Sequence, residues 1–424
     1  MLVQLGHKST ELLESIFYGL VWQQVKAPSG VCLGIQGDEK MTFNSGSRCI
    51  VSIIIPFYNR CEMTYRCIQS IADCTGEHKK NQDNDFAFEV ILVDDASQES
   101  SVILERKGYS WLRLIRNDRN LGFARSCNRG AATAKGEYLV FLNNDTIAIN
   151  GWLAELVRAM ETNPLVGIVG SKLLYPDETI QHAGVAFDEE GMPFHIYRYF
   201  PSNFSGVNKA REFQAVTGAC FIIKADLFHA LGGFDERYLN GLEDIDLCLR
   251  VRAKGRKVLY CPTSTLYHLE YQTRGLDASG QEKNVALFRE TWGREIYSDC
   301  YRYYKEDFIT DTSYEIAQIK KAACSNKRLI LVVWGAGSGG RRAVRFLRWI
   351  GIHPVLFVDN AENKWGAVIE GLPVNNPEYL LELKKQGHRV FIIVASLWFR
   401  EIMHQLIQMG FQPSHEFLAY PIAF

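Results

Sequence analysis

The chain has 424 residues, 47% of them hydrophobic, which is enough for two or three domains with substantial cores. Its formal net charge of −1 argues against nucleic acid as a partner, because nucleic-acid-binding faces are usually basic. No run of residues reaches the roughly 18 apolar positions of a membrane span, and the start of the chain lacks a basic-then-apolar secretion signal. The 11 cysteines show no Cys-x-x-Cys spacing, so reduced thiols in a cytoplasmic protein are favoured over structural zinc.

Residues 1–48 are predicted to be an N-terminal extension that contains an amphipathic helix. Apolar residues recur there at helical spacing, at Leu12, Leu13, Ile16, Phe17, Leu20 and Val21. We expect this helix to pack on its own domain. The alternative is peripheral contact with the inner face of a membrane or with a partner such as a second copy of the chain, although lipid-binding helices usually carry more Lys and Arg.

Residues 49–310 alternate strands with helices, and three of the predicted strands end in polar residues. These apolar runs occupy residues 51–59, 89–97 and 138–146. Each is typical of a buried parallel strand. Ligands bind at the carboxyl edge of an open α/β sheet. The acidic and amide side chains collected there therefore predict a site for a charged, metal-bound ligand.

The rest of this section is predicted from its periodicity. Further helices and strands are expected over residues 64–74, 124–134, 152–162, 166–169 and 257–261. Residues 182–212 are rich in glycine, aromatic and charged residues and are predicted to be a long surface loop, which in compact domains is usually functional. The charged and aromatic residues from 280 to 323 predict helices packed against the domain.

Residues 326–424 start a second pattern, which predicts a small α/β domain. Its strands and helices are expected over residues 329–334, 341–350, 391–395 and 397–409, with a further strand ending at Asp359. Gly335, Gly337 and Gly340 lie between the first strand and the first helix. This spacing is typical of a dinucleotide-binding turn, in which the helix N-terminus faces a phosphate and an acid, here Asp359, accepts a ribose hydroxyl.

The length of this second section limits what it could do. It is too short for a full dehydrogenase and shows no residues for hydride transfer. Together with residues 366–374, it resembles the small, Rossmann-like nucleotide-sugar-binding domain found beside sugar acyltransferases. Two interpretations remain open: a non-catalytic nucleotide or nucleotide-sugar site, and an interaction domain without a ligand.

Five motifs between residues 52 and 250 occur in the order of a known family. They are Ser-Ile-Ile-Ile-Pro-Phe-Tyr-Asn at 52–59, Val-Asp-Asp-Ala-Ser at 93–97, Asn-Leu-Gly-Phe-Ala-Arg-Ser-Cys-Asn at 120–128, Leu-Asn-Asn-Asp-Thr at 142–146, and Gly-Phe-Asp-Glu followed by Glu-Asp-Ile-Asp-Leu-Cys-Leu-Arg at 233–250. The chain resembles the inverting, family-two glycosyltransferases of GT-A fold, particularly rhamnosyltransferase-like enzymes of bacterial surface polysaccharide synthesis. The resemblance implies an α/β fold with a GT-A transferase domain over residues 49–310.

The resemblance also assigns residues to the nucleotide. It places Pro56, Tyr58 and Asn59 around the base, and Asp95 as the acceptor of a hydrogen bond from the base. Asp94 would shape the turn. For the two adjacent aspartates, the alternative is the N-cap of a helix.

The same resemblance assigns two further residues of the chain to nucleotide binding. Arg125 and Asn128 are three residues apart and share one face of a predicted helix. For Arg125 the alternative is an ordinary surface charge.

Residues 143–145, Asn-Asn-Asp, occupy the place of the Asp-x-Asp motif of the family. A sugar nucleotide carries a diphosphate, which calls for Mg²⁺ or Mn²⁺ bound by oxygen ligands. Asp145 is the one anionic ligand in the motif, and Asn144 is assigned to the donor. Since Asn143 replaces an acid, we expect weak metal binding in the absence of donor. His268 is the candidate second ligand, with a purely structural histidine as the alternative.

Residues 243–246, Glu-Asp-Ile-Asp, match the catalytic motif of the family. By resemblance, Asp244 is the general base that deprotonates the acceptor hydroxyl, and Glu243 contacts the acceptor or orients the loop. Asp246 is expected to pair with Arg250 one helical turn later, and Gly218 to line the sugar pocket. The alternative is that the three acids only begin a helix.

The predicted function is therefore metal-dependent, inverting transfer of a sugar from a nucleoside-diphosphate donor, of the UDP-sugar or dTDP-rhamnose type. The predicted acceptor is a hydroxyl of a growing, lipid-linked glycan. A nucleotidyltransferase would show a glycine-rich phosphate loop after its first strand, where this chain has Pro-Phe-Tyr-Asn. A catalytically weak carbohydrate-binding or scaffold protein is the other alternative, and loss of Asp145 or Asp244 would have indicated it.

Overall fold

The computed structural model describes residues 50–75, 87–99, 104, 108–269, 278–308, 329–349, 351–396, 398–412 and 416–419. The predicted extension at residues 1–48, and the part of the predicted helical segment from 309 to 323, lie outside these residues. The described residues all fall within one compact unit, residues 49–424. Among the helices of these ranges, none has both the length and the apolar character that crossing a bilayer needs.

Twelve strands and seven helices precede residue 309 in the described part of the chain. The strands are β1 (Ile50–Phe57), β2 (Ala87–Asp94), β3 (Leu112–Arg116), β4 (Tyr138–Leu142), β5 (Thr146–Ala148), β6 (Val166–Leu174), β7 (Ile180–His182), β8 (Val185–Phe187), β9 (Pro193–His195), β10 (Arg211–Phe213), β11 (Cys220–Lys224) and β12 (Lys257–His268). The helices are α1 (Cys61–Thr75), α2 (Phe123–Ala132), α3 (Trp152–Glu161), α4 (Ala225–Ala230), α5 (Glu243–Ala253), α6 (Ala278–Trp292) and α7 (Cys300–Phe308), with a short 3-10 helix at Ser205–Asn208.

Ten of these strands form one sheet in the order β10-β12-β6-β11-β4-β1-β2-β3, with β5 on β12 and β7 on β6. Strands β1 to β4 are parallel, and β11 runs antiparallel between β4 and β6. The carboxyl ends of β1, β2 and β4, and the loop before β11, therefore meet at one edge. This is the edge at which the three polar strand ends were predicted to meet.

The apolar runs form buried strands because both faces of the sheet are covered. Ile53 and Ile55 of β1 point into a core shared with α1 and α3. Ile54, between them, points into a second core shared with α2, α5 and α6. Side chains alternate across a strand, so a strand with helices on both faces is apolar at every position. The predicted α/β fold class is confirmed.

The predicted surface loop at residues 182–212 is wrong. Strand β8 pairs with β9 in a hairpin, and β10 joins the large sheet. Ile196, Tyr197 and Val207 are at most 1% exposed. The strands in this segment have only three residues each, too few to show a period in the sequence, and they are stabilised by aromatic packing with distant parts of the chain.

The predicted strand at 257–261 is too short, because β12 continues to His268. Pro262 interrupts the sequence pattern, since proline cannot donate a ladder hydrogen bond. The pairing with β6 shifts register between Cys261 and Thr265. This irregularity accommodates the proline and carries the strand on to the carboxyl edge of the sheet.

A second sheet of six strands follows. Its strands are β13 (Leu329–Trp334), β14 (Leu356–Val358), β15 (Val368–Ile369), β16 (Leu372–Asn375), β17 (Arg389–Val394) and β18 (Phe417–Ala419), in the order β15-β16-β14-β13-β17-β18. Its helices are α8 (Ser338–Trp349), α9 (Tyr379–Lys385) and α10 (Phe399–Gln408), with a 3-10 turn at Glu362–Lys364. The predicted strand, glycine turn and helix are confirmed, whereas the hairpin β15-β16, helix α9 and β18 were not predicted.

Candidate active site

Asp145 and His268 are brought together by strand pairing. Asp145 follows β4 and precedes β5, and Thr146 of β5 is paired with His268 of β12. The Asp145 Oδ1 and His268 Nε2 atoms lie 3.2 Å apart, with side chains that are 4% and 7% exposed. Sequence analysis could propose this pair only by resemblance, since 122 residues separate the two.

The Asp145 and His268 side chains fit a divalent cation. Among the residues that the structure describes, the buried Asp145 Oδ1 and His268 Nδ1 have no hydrogen-bond partner. The Oδ1–Nε2 contact is thus close but is not a hydrogen bond, and a carboxylate oxygen left unpaired in the interior is costly. No cluster of three His, Cys, Asp or Glu ligands occurs in the described ranges. The pair suits an ion that takes its remaining ligands from water and phosphate oxygens.

The two amides of the Asn-Asn-Asp motif point in different directions. Asn143 Nδ2 lies 3.3 Å from His268 Nε2, so Asn143 shares the environment of the candidate metal ligands. Asn144 is buried and donates from Nδ2 to Thr64 Oγ1 of α1 at 3.0 Å. The Asn144 side chain therefore anchors α1 beside the site, and its assignment to donor binding remains a prediction.

Asp244 lies in the first turn of α5 and faces the loop before β11. Its Oδ2 accepts a hydrogen bond from the Gly218 backbone N–H at 2.6 Å. A Cβ atom placed on Gly218 would lie 2.9 Å from the Asp244 Cβ. Gly218 therefore permits a close approach of backbone to carboxylate that a larger residue would block. This contact places the candidate base against the segment expected to line the sugar pocket.

The other two acids of this motif have structural partners. Glu243 Oε2 accepts from the Gly241 N–H at 2.5 Å, which supports a loop-orienting role. Asp246 Oδ2 accepts from Arg250 Nε at 2.7 Å, as predicted. Asp246 Oδ1 also accepts from the Trp292 indole at 2.9 Å, a contact with α6 that was not predicted.

The Asp95 carboxylate accepts hydrogen bonds from the segment that precedes α2. Its Oδ1 accepts from Asn117 Nδ2 and from the Leu121 N–H, both at 2.7 Å, and its Oδ2 accepts from the Gly122 N–H at 2.9 Å. These bonds occupy three of the roughly four acceptor positions of a carboxylate. One acceptor position of the Asp95 carboxylate is left for the nucleotide base, and that contact remains a prediction. Sequence analysis missed Asn117, which carries no motif signal of its own.

Asn59, one of the residues assigned to the nucleotide base, connects the loops after β1 and β2 by hydrogen bonds. The Asn59 N–H donates to Ser97 Oγ and the Gln98 N–H donates to Asn59 Oδ1, both at 2.7 Å. Pro56 is buried in β1, whereas Tyr58 is 38% exposed. Of the three residues assigned to the base, Tyr58 is thus the one that presents its ring to solvent.

Asp94 shapes the turn after β2, as predicted. Its Oδ1 accepts from the Ser97 N–H at 2.8 Å, and its Oδ2 pairs with Arg116. In the described residues 95–99 no helix begins, so the N-cap alternative is wrong.

Arg125 and Asn128 of α2 both contact residues 234–236, and their assignment to the nucleotide remains a prediction. Asn128 Nδ2 donates to the Phe234 carbonyl at 2.9 Å, and Asn128 Oδ1 accepts from the Phe234 N–H at 2.8 Å. Arg125 is 47% exposed and pairs with Glu236. Gly233 has a φ of +75°, and the tight turn there leaves backbone groups that Asn128 satisfies. The Arg125 and Asn128 side chains thus connect the motif at residues 120–128 with the motif that begins at residue 233.

In the second sheet, Asp359 is held inside the glycine turn. Its Oδ2 accepts from the Ala336 N–H at 2.7 Å and from Lys364 Nζ at 2.8 Å, and its Oδ1 accepts from the Ala361 N–H at 2.8 Å. Burial alone would raise the pKa of Asp359, but these hydrogen bonds outweigh it and lower that pKa. As at Asp95, three of the roughly four acceptor positions of the carboxylate are occupied, and the assignment of Asp359 to a ribose hydroxyl remains a prediction.

Two of the three glycines of this turn are required by packing. A Cβ on Gly340 would lie 1.7 Å from the Gly335 carbonyl oxygen, and a Cβ on Gly335, where φ is +113°, would lie 2.5 Å from the Ala395 oxygen. Gly337 has open space around its Cβ position. Packing therefore accounts for Gly335 and Gly340, and the role of the three glycines as a nucleotide site remains a prediction.

Residues 52–231 match the model of the family Glycosyl transferase family 2. An uncharacterized protein of Sinorhizobium fredii is 34% identical over 266 residues, covering 59% of this chain and 28% of that protein. O-antigen biosynthesis protein RfbC of Myxococcus xanthus is 35% identical over 237 residues, covering 54% of this chain and 18% of that protein. The chain thus spans less than a third of the length of either relative.

A solved structure of GalNAc-T7 with UDP, GalNAc and Mn²⁺ is similar over 64% of this chain and 51% of that one. It has 19% sequence identity and a TM-score of 0.47. The family match covers four of the five motifs, with the Asp244 motif beyond its end. Residues 52–231 thus match glycosyl transferase family 2 in sequence, and they contribute most strands of an α/β sheet, the fold class that the motifs predicted.

Proposed function

We propose that this chain is a metal-dependent, inverting glycosyltransferase that uses a nucleoside-diphosphate sugar as donor. The observation that carries the proposal is the meeting of Asp145, His268 and Asp244 at one edge of a family-two sheet. Asp145 and His268 lie 3.2 Å apart, and Asp244 is bonded to the backbone of Gly218, next to the loop that precedes β11. This arrangement supplies a cation site for a diphosphate and a base for an acceptor.

Each residue has a distinct task in the proposed reaction. Mg²⁺ or Mn²⁺, held by Asp145 and His268, would neutralise charge on the departing diphosphate. Asp244 removes the proton of the acceptor hydroxyl as its oxygen bonds to the anomeric carbon. The bond from that carbon to the diphosphate breaks on the opposite face, and its electron pair leaves with the diphosphate. Attack from the face opposite the leaving group inverts the configuration.

The acceptor proposed is a hydroxyl of a growing, lipid-linked glycan. The similarity to a protein named for O-antigen biosynthesis supports this choice. The proposed location is the cytoplasm, at the inner face of the membrane, where nucleotide sugars and lipid-linked acceptors meet.

A panel of nucleotide sugars tests the proposal. Full-length protein would be mixed with UDP-glucose, UDP-galactose, UDP-N-acetylglucosamine, GDP-mannose or dTDP-rhamnose, with Mn²⁺ or with EDTA. A donor at about 100 times its Kd adds about 2.7 kcal/mol to the stability of the protein, which a thermal melt detects. We expect a shift with Mn²⁺ that EDTA removes, and slow release of nucleoside diphosphate. Stabilisation without release would instead favour the carbohydrate-binding scaffold, and no shift with any sugar would contradict the proposal.

A further inference from the structure

Three consecutive residues before β11, Thr217 to Ala219, connect three separate parts of the site. The Gly218 N–H donates to Asp244 at 2.6 Å. The Ala219 carbonyl accepts from the Asn143 N–H at 2.9 Å, next to the candidate metal ligands. The Thr217 N–H donates at 3.3 Å to Nε2 of His182. We name residues 217–219 the connecting segment.

His182 is fully buried and has a partner on each ring nitrogen. It ends β7, which pairs with β6 opposite Leu173, and it is 0% exposed. Its Nδ1 lies 2.9 Å from the Ser171 carbonyl oxygen. A carbonyl can only accept and an amide N–H can only donate. These two partners therefore require the neutral tautomer with the proton on Nδ1 and a free lone pair on Nε2.

The environment of His182 keeps the ring in that form. Burial lowers the pKa of His182 well below its ordinary value, and the nearby His195 and His268 lower it further, against the hydrogen bond that His182 donates to the Ser171 carbonyl, which raises it. The ring of His195 lies 5.1 Å away, in an edge-to-face arrangement. A charged His182 would direct an Nε2 proton at the Thr217 N–H, so the neutral ring is the one that fits the contact.

We propose that His182 is a positioning residue for the base, acting on Asp244 through the peptide units of Thr217 and Gly218. The His182 acceptor fixes the direction of the Thr217 N–H, and the next N–H along the chain is the donor to Asp244. The effect of His182 on Asp244 passes through the connecting segment, in which the Thr217 N–H bonds to His182 and the Gly218 N–H bonds to Asp244. This inference rests on the proposed function, in which Asp244 is the base.

A matched pair of variants tests the role of the acceptor. In His182→Asn the side-chain amide reaches the Nδ1 position and retains a donor for Ser171, but the Thr217 N–H loses its acceptor. In His182→Gln the amide extends to the Nε2 position and restores that acceptor. His195→Asn is the control, since the His195 ring packs edge-to-face on His182. Its Nδ1 bond to the Gln181 carbonyl, 2.9 Å long, can be kept by an Asn amide.

The measurement is release of nucleoside diphosphate from the donor that gives the largest Mn²⁺-dependent shift in the panel. We expect kcat of His182→Asn to fall about 10- to 100-fold, because small displacements of a catalytic group have effects of that size. Donor KM should stay within about twofold of wild type, and His182→Gln should recover most of the loss. Without the Gly218 N–H donor, the carboxylate would be easier to protonate. The acid limb of the kcat–pH profile should therefore move to higher pH in His182→Asn.

Gly218→Ala provides a second route to the same result if His182→Asn does not fold. Its Cβ would lie 2.9 Å from the Asp244 Cβ and would leave the His182 side chain in place, so it should lower kcat and move the acid limb of the kcat–pH profile to higher pH. If both variants fold, their combined effect should be smaller than the product of the two, because they act through one contact.

The outcomes separate this inference from the proposed function. Full activity in Asp244→Asn would overturn the proposed function itself. Loss in Asp244→Asn with normal kcat and pH profile in His182→Asn would overturn the positioning role alone. Equal losses in His182→Asn, His182→Gln and His195→Asn would also overturn it, since they would indicate only a general need for packing around the histidines.

Discussion

At the scale of single residues, Asp244 and Asp145 are the two carboxylates on which the proposed chemistry depends. They come from α5 and from the end of β4, and their surroundings differ. Asp244 is oriented by a backbone N–H, whereas Asp145 retains a buried oxygen without a hydrogen-bond donor in the described part of the chain. The proposed base and the proposed metal ligand should therefore respond differently to substitution.

Replacement of the proposed base should abolish transfer but leave the donor site intact. Asp244→Asn keeps the size of the side chain and an oxygen for the Gly218 N–H, but it cannot take up a proton from a hydroxyl. We expect kcat to fall at least about 10²-fold, with the Mn²⁺-dependent thermal shift by donor unchanged. Turnover close to that of wild type would show that another group is the base.

Replacement of the proposed metal ligand should give the opposite pattern. Asp145→Ala should remove the dependence of donor binding on Mn²⁺, whereas Asn143→Ala should have a milder effect, because a neutral amide contributes less than a carboxylate to cation binding. Isothermal titration of donor with and without EDTA measures both. If EDTA-treated wild-type protein transfers sugar at the full rate, the cation assignment is wrong.

At the scale of elements, α7 is bound to the segment that was predicted to be a loop. Asp307 of α7 is 0% exposed and accepts 2.9 Å hydrogen bonds from both terminal nitrogens of Arg211 in β10. It also pairs with Lys209 and the Tyr197 hydroxyl. A buried carboxylate is tolerated here because several donors converge on it. This network holds α7 against the residues that follow the β8-β9 hairpin.

Loss of this carboxylate should destabilise the protein. Asp307→Ala leaves the Arg211 guanidinium, whose side chain is 12% exposed, without its main partner, and removing one member of a buried pair costs about 3–5 kcal/mol. We expect a lower midpoint in urea denaturation. Glu306→Ala is the control on the same helix, since the Glu306 side chain is 51% exposed. Similar midpoints for both variants would contradict the role of the network.

The same network predicts acid sensitivity. Burial alone would raise the pKa of Asp307, but hydrogen bonds from Arg211, Tyr197 and Lys209 outweigh it and lower that pKa below the ordinary 3.8. A carboxylate whose folded pKa is depressed stabilises the fold fully above its unfolded pKa, and this contribution is lost as pH falls through the folded value. The stability difference between wild type and Asp307→Ala should therefore be constant near neutral pH and should shrink as pH falls below about 4. Urea midpoints measured between pH 7 and pH 3 test this.

At the scale of the whole molecule, the parts of the chain that contain the two large sheets share an apolar cluster. Val333 of β13 and Phe346 of α8 belong to the same buried cluster as Ile196, which follows β9, and Phe213 of β10. At the rim, Arg345 of α8 bonds to Glu189 in the β8-β9 hairpin turn at 3.3 Å. The helix after the glycine turn thus contacts the β8-β9 hairpin.

Separation of the two sheets should therefore expose apolar surface. Fragments 49–310 and 326–424 would each lose partners from the shared cluster, and we expect both to melt below the full-length chain and to bind a hydrophobic dye more strongly. Arg345→Ala in the full chain should have a small effect, at most about 1 kcal/mol, because partly exposed ion pairs contribute little. Fragments with the same melting temperature as the full chain would show that the shared cluster adds no stability.

The sequence by itself determined the elements and the chemistry that short segments can encode. Apolar runs identified β1, β2, β4 and β13, because a strand covered on both faces must be apolar throughout. Motif order indicated the resemblance to family-two glycosyltransferases and singled out Asp145 and Asp244 as candidate site residues. The Asp246–Arg250 pair followed from helical spacing alone.

Only the tertiary structure decided which of these residues meet. His182 has no motif signal, and its contact with Thr217 exists because β7 folds back on β6. The three-residue strands of the 182–212 segment are stabilised by distant aromatic residues and carry no readable period. Asn144, Asn128 and Asp359 were assigned to ligands, and the structure shows that each is also bonded to a turn or helix of the chain itself. A polar side chain at a strand end can form hydrogen bonds with a ligand or with neighbouring groups of the chain. Which partner it has depends on long-range packing, and the local sequence does not determine that packing.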